Sequence, residues 1–170
     1  MTITALDGVL HTLHPGDVAC GVRGDSFATL LDSCIAVVLT DPRRTVGVMC
    51  HIVHTTNITT NITTIHTSAP RDSAWGDVAL DRLYDLLRGR GITPQLCEAC
   101  VYGGGIMFPG VFGSSWHLGS NNARWVLEAL THDSVRVLHN DVDGSAHRKL
   151  TWTVGPDPPQ AIAVAVEVEV

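Results

Sequence analysis

Cys34 and His51 are the residues of this 170-residue chain whose types and spacing suggest chemistry. They lie in the stretch Thr29–His54, TLLDSCIAVVLTDPRRTVGVMCHIVH, near the start of one apolar run and inside the next. A thiol beside an imidazole is the minimum for a cysteine nucleophile: the base takes the proton and the sulfur attacks. Both residues also have a plainer reading. A free cysteine most often serves as a small buried hydrophobe, and a strand histidine as a hydrogen-bonded core residue. What favours the chemical reading is the way the intervening chain should fold.

The runs Ile35–Thr40 and Val46–Val53 are short, rich in β-branched residues and bounded by turn signals, which predicts two strands. Between them, Asp41-Pro42-Arg43-Arg44 is good turn chemistry: proline fixes φ and aspartate bonds back to the backbone. Folding one strand onto the other brings the residues just before the first beside the end of the second. Cys34 and His51 then meet across the pair.

The remaining elements are read in chain order. A turn at His14–Asp17 leads into a strand Asp17–Val22, and a turn at Arg23–Ser26 leads into Phe27–Leu31. Thr55–Pro70 contains the small repeat TTNITTNITTI and reads as a surface excursion near the site. A helix runs from Asp77, its expected cap, to Leu87, with Val78, Leu80, Leu83, Tyr84 and Leu87 as its apolar stripe and Gly89 and Gly91 closing it. Leu96–Tyr102 reads as a strand entering a glycine loop. A second helix spans roughly Asn121–Leu130, capped by Asn121 or Asn122, with Ala123, Val126, Leu127 and Leu130 inward. Ser134–Leu138 and Lys149–Val154 read as strands, joined by a polar bend at His139–Gly144. The tail, residues 159–170, alternates Ile162, Val164, Val166, Val168 and Val170 with small or acidic residues, which predicts a half-buried strand with its branched side inward and an acidic outer face. Many strands with two main helices imply an α/β (α+β) layered domain with largely antiparallel or mixed sheets, forming one domain over residues 1–170. Two helices are too few for a doubly wound parallel sheet.

Composition narrows the function classes. Hydrophobic residues make up 45% and charged residues 16%, as expected of a compact globule. A formal charge of −6 supplies no basic face for nucleic acid. No run of 18 or more apolar residues predicts a membrane span, and the N-terminus does not read as a secretory signal. Five cysteines without the spacing of a disulfide framework imply a reduced, cytoplasmic protein. Cys97-Glu98-Ala99-Cys100 matches C-x-x-C, but residues three apart on a strand point to opposite faces, which works against chelation or a disulfide. A zinc-stabilised domain built from Cys50, His54, Cys97 and Cys100 is the alternative. Gly103–Gly105 lacks the Gly-Lys-Ser/Thr ending of a phosphate loop. Its glycines would instead let backbone approach the site or a partner closely. No cofactor is expected.

Thr29-Leu30-Leu31-Asp32-Ser33-Cys34-Ile35-Ala36-Val37 resembles the Thr-Leu-Leu-Gly-Ser-Cys-Val-Ala-Val signature of the CheD family, the chemoreceptor glutamine deamidases. Gly47-Val48-Met49-Cys50-His51 resembles the family's histidine segment, Trp75–Leu80 the start of its first long helix, Tyr102–Phe108 its glycine loop, and Gly144 with Arg148-Lys149 its closing segment. The likeness covers roughly residues 10–155. It implies a CheD-like fold in which Cys34 attacks the side-chain amide of a glutamine on a receptor's cytoplasmic helix and His51 serves as acid and base. It also implies a threonine that orients the histidine. Thr29 is the nearest match, with Ala28 there if the register shifts by one. Backbone N–H groups near Ser33 and Cys34 are natural oxyanion donors. Ser33, Gly104, Met107, Phe108 and Arg148 are the expected substrate or partner contacts. A CheC-type phosphatase is a further expected partner, and a chain that kept only docking is the competing reading. Asp32 departs from the signature's glycine. A glycine there would serve a left-handed or crowded backbone, and a carboxylate so near Cys34 disfavours its thiolate.

Overall fold

The computed structural model describes residues 8–55, 71–105, 118–144 and 146–164. Met107, Phe108, the threonine-rich stretch beyond Thr55 and the tail beyond Val164 lie outside the described residues. Nine strands and two α-helices run in the order β1 (Leu10–Leu13), β2 (Val18–Val22), β3 (Ser26–Leu31), β4 (Ile35–Thr40), β5 (Val46–Ile52), α1 (Gly76–Arg88), β6 (Glu98–Gly103), α2 (Leu118–His132), β7 (Arg136–Val142), β8 (His147–Thr153) and β9 (Gln160–Val164) among the described residues. They form two mixed sheets, a five-stranded one ordered β2-β5-β4-β6-β7 and a four-stranded one ordered β1-β3-β8-β9. The expected α+β layered class is the one observed.

The layers follow from strand alternation. In β4 and β5, Ile35, Val37, Leu39, Val48, Cys50 and Ile52 face the helices, where they meet Leu80, Leu83 and Leu87 of α1 and Ala123, Val126 and Leu130 of α2. Ala36, Val38 and Met49 face the other way and meet Phe27, Leu31, Leu150 and Trp152 of the four-stranded sheet. Both faces of the β4–β5 hairpin are therefore covered, and every residue in the two strands is buried. Gly47 lets the sheets close, because a Cβ there would stand 2.3 Å from the Trp152 ring.

Several local expectations change. The cap of α1 is Trp75, and Asp77 lies in the first turn, paired with Arg71. The helix closes as expected, with Gly89 as its C-cap and Gly91, at a φ of 74°, letting the Ile92 N–H reach the Leu87 carbonyl. α2 starts at Leu118, so neither Asn121 nor Asn122 caps it. Leu10–Leu13, ahead of the first expected turn, is a strand parallel to β3. The polar stretch read as a bend continues β7 to Val142, and the turn is confined to Asp143 and Gly144, both with positive φ.

The tail strand does not bury its branched side: Ile162 and Val164 are 58% and 42% exposed. Ala161, opposite Leu150, is the partly buried residue of Gln160–Val164 and packs on the inter-sheet cluster, while Ala163, opposite Arg148, is exposed.

The β4–β5 turn behaves as its sequence predicts. Asp41 accepts hydrogen bonds from the N–H groups of Thr45 (2.7 Å) and Val46 (3.0 Å) and from the Thr45 hydroxyl, while Arg44 takes a φ of 59°. Asp41→Ala would strand the Val46 N–H in a buried turn. The expected loss is about 2 kcal/mol of unfolding free energy, read as a lower urea midpoint with an unchanged slope.

Candidate active site

His51 lies opposite Ala36 in the β4–β5 register and faces the four-stranded sheet. Cys34 precedes Ala36 by two residues and packs against the same inter-sheet cluster, so thiol and imidazole share a face as diagonal neighbours. Diagonal neighbours of a regular antiparallel pair stand about 7–8 Å apart, close enough for side chains to approach.

Across the sheet interface, the Thr29 hydroxyl on β3 stands 2.7 Å from His51 Nδ1 and 2.8 Å from the Leu13 carbonyl. A hydroxyl has one proton. The carbonyl can only accept it, so Thr29 accepts from Nδ1–H. That assignment leaves the lone pair of the neutral ring on Nε2. This nitrogen is buried and has no hydrogen-bond partner among the described residues. Burial pushes the His51 pKa down to about 4, although Asp17 and Asp32 pull the other way. Burial also pushes the Cys34 thiol up to about 11, with the Asp32 carboxylate as the second cause. The resting pair is thus a neutral thiol and a neutral imidazole.

The chain before Cys34 is held at three consecutive carbonyls. Asp32 O accepts from Gly105 N–H (2.9 Å) and Cys34 O from Gly104 N–H (3.0 Å). Ser33 O accepts from the Asn122 side-chain amide at 3.2 Å. Among the described residues, no acceptor takes the N–H of Ser33 or of Cys34. Gly103 and Gly104 both have positive φ, and a Cβ on Gly103 would stand 2.1 Å from the Cys34 carbonyl. Gly104 is buried, its close neighbours being Gly119, Ile35 and Ala123. Asp32 is absent from the left-handed residues, so its replacement of the signature's glycine carries no such strain. Its carboxylate pairs with His147 of β8.

Arg148 does not present its charge to a partner. It is 6% exposed, and its guanidinium bonds the carbonyls of Gly103 and Asp143 and the Asp141 carboxylate. The zinc ligands of the alternative reading are dispersed: Cys50 and Cys97 face the helix layer, Cys100 faces between the sheets, and His54 is exposed. Asn122 is the residue that the sequence reading assigned wrongly, as a cap. A signal was present, since Asn122, Val126 and Leu130 fall on one helical stripe, and a polar residue on an apolar stripe asks for a partner.

Comparison with known proteins adds the family. The model described as CheD chemotactic sensory transduction matches residues 61–155. The chain belongs to the CheD family. The matched segment lies downstream of Cys34 and His51. Among the chain's relatives, "Probable chemoreceptor glutamine deamidase CheD 2" of Albidiferax ferrireducens is 29% identical, over 84% of this chain and 80% of that one. "Probable chemoreceptor glutamine deamidase CheD 1" of Anaeromyxobacter dehalogenans is 30% identical, over 84% and 77%. The Rhodospirillum rubrum protein "Probable chemoreceptor glutamine deamidase CheD" is 32% identical, over 78% and 69%. Among solved structures, the hypothetical protein YfiH of Bacillus licheniformis aligns with a TM-score of 0.41 at 11% identity, over 82% of this chain and 60% of that one, too distant a likeness to inform the site. No helix among the described residues of this CheD family member is long and apolar enough to cross a membrane.

The buried imidazole links stability to pH. Its folded pKa, about 4, lies below its ordinary value of 6.5, so the unfolded chain takes up the proton first as pH falls. The contribution is complete above pH 6.5 and is lost between there and pH 4. Between pH 7 and pH 5 this group should account for about 2 kcal/mol of lost stability. Urea unfolding at both pH values should show a smaller loss in His51→Gln than in the wild type.

Proposed function

We propose that the chain is a protein-glutamine deamidase acting on the cytoplasmic helices of chemoreceptors, with Cys34 as nucleophile, His51 as acid and base, and Thr29 as the residue that orients His51. The observation that carries this reading is the unpartnered, buried Nε2 lone pair on the face it shares with Cys34. The names of the relatives support the substrate class.

In this reading Cys34 attacks the glutamine amide carbon as its S–H proton passes to His51 Nε2. A C–S bond forms and the carbonyl oxygen takes up negative charge, met by the N–H groups of Ser33 and Cys34. An amide nitrogen leaves poorly unless protonated, and the imidazolium formed by the attack returns the same proton to it. The C–N bond breaks, ammonia departs and a thioester remains. Water then attacks the thioester, again losing a proton to His51, and Cys34 leaves protonated with glutamate as product. Thr29 holds Nδ1–H throughout, so Nε2 alone exchanges protons.

Cys34→Ala and His51→Ala should each abolish conversion of glutamine to glutamate in a receptor cytoplasmic fragment, followed by mass spectrometry, while the protein stays folded. Thr29→Val should lower kcat about a hundredfold and Thr29→Ser much less. A wild type that leaves every receptor glutamine intact, under conditions where Asp32→Gly converts one, would sink the enzyme reading in favour of a module that docks receptors or a CheC-type phosphatase.

The neutral resting pair has its own signature. Alkylation of Cys34 by iodoacetamide, mapped by peptide mass, should rise with pH toward about 11 without the plateau near neutrality that a thiolate–imidazolium pair would give. Asp32→Gly removes a neighbouring negative charge and should speed alkylation at pH 8 by about two- to fivefold.

A further inference from the structure

Asn122 lies on α2, outside the cysteine, histidine and threonine set, yet it is 1% exposed and spends its amide on three residues of two other segments. Nδ2 donates to Ser33 O (3.2 Å) and to Val53 O (3.3 Å), and Oδ1 accepts from the Thr55 hydroxyl at 2.9 Å. Two carbonyls can be satisfied only by the NH2 end, so the orientation of the amide is fixed by its partners. Ser33 belongs to the loop that carries Cys34, while Val53 and Thr55 continue the strand that carries His51. One side chain therefore fastens the nucleophile's loop to the base's strand.

The bond to Ser33 has a further consequence. The Ser33 C=O and the Cys34 N–H belong to one planar trans peptide and point in opposite directions. Fixing the carbonyl on Asn122 fixes the N–H on the other side. That N–H has no acceptor among the described residues, and the carbonyls before and after it are tied to Gly105 and Gly104. A donor held in place without a partner is what an oxyanion needs, because no reorganisation is required as charge develops.

We propose that Asn122 is a positioning residue for acyl transfer at Cys34, setting the direction of the Cys34 N–H toward the oxyanion. The inference rests on the reading of Cys34 as the nucleophile, but not on the identity of the receptor. It predicts that reactions which place charge on a carbonyl oxygen depend on Asn122, whereas a displacement at saturated carbon does not. p-Nitrophenyl acetate tests the first: Cys34 sulfur bonds the ester carbon, p-nitrophenolate leaves and the thiol proton goes to His51. Iodoacetamide tests the second: sulfur bonds the methylene carbon and iodide leaves.

Both reactions are to be measured at Cys34 in the full chain, with modification mapped by peptide mass. Asn122→Ala should slow acetylation about a hundredfold and alkylation by less than about threefold, and on a receptor fragment it should lower kcat with KM unchanged. Equal slowing of both reactions would reduce Asn122 to a structural role and overturn the proposal, as would unchanged acetylation. Should Asn122→Ala fail to fold, Thr55→Val, which removes only the hydroxyl holding Oδ1, is read in the same way, with an expected selective slowing of about fivefold. A wild-type Cys34 that acetylates no faster, relative to its alkylation, than free cysteine would show that no oxyanion donor is in place and would also overturn the proposal. Fast acetylation together with untouched receptor glutamines would instead sink the deamidase reading and leave the role of Asn122 standing.

Discussion

A single hydroxyl joins the two sheets at the site. Thr29 gives its proton to the Leu13 carbonyl within the four-stranded sheet and accepts one from His51 Nδ1 across the interface. An imidazole buried between apolar layers has to place both nitrogens, and an unmet polar atom there costs about 1–3 kcal/mol. Among the described residues Nδ1 is met and Nε2 is not, and that nitrogen belongs to a ring on the face against which Cys34 packs. The packing of Phe27, Met49, Leu150 and Trp152 sets the spacing between sheets, and with it the length of the threonine–histidine bond.

The electrostatics of the site follow from that burial. Asp32 works against a thiolate at Cys34, and Asp17 and Asp32 work toward an imidazolium at His51, where His14 opposes them. Desolvation outweighs them at the histidine and adds to them at the cysteine. Both groups are left uncharged, and in the proposed reaction the charges arise together as the proton moves between them. Such a pair suits amide cleavage, because the proton taken from the nucleophile is the one the departing nitrogen needs. A permanently ionised cysteine would be more reactive toward electrophiles in general, and an environment that keeps it protonated limits unwanted alkylation and oxidation.

Much of this was legible in the sequence where alternation and local turn chemistry decide. The β4–β5 hairpin, the turn at Asp41, the two helix stripes and the shared face of Cys34 and His51 all depend on periods of two or 3.6 residues, which single-chain patterns carry. The same parity separates Cys97 from Cys100. Face choice at the edge strand was not legible. β9 offers branched residues on one side and alanines on the other, and pattern alone buries the branched side; in the structure Ile162 and Val164 are exposed and Ala161 packs on the inter-sheet cluster opposite Leu150. Arg148 and Asn122 share that cause. Each reads as a surface or cap residue on its own element, and each is buried by partners distant in sequence, Gly103 for one and Ser33 for the other.

These two residues also explain why the glycine loop is shaped as it is. Arg148 holds the Gly103 carbonyl from the side of β7 and β8, while Gly104 and Gly105 offer their N–H groups to the loop ahead of β4. Any side chain on Gly103 would strike the Cys34 carbonyl, and any on Gly104 the Gly119 carbonyl at the start of α2. The glycines hold the Cys34 loop by letting three backbones lie against one another, a rigid contact without rotamers to order. Asp32 enters that loop without a left-handed φ. Its carboxylate acts in two directions, pairing with His147 of β8 within the fold and adding negative charge near the Cys34 sulfur.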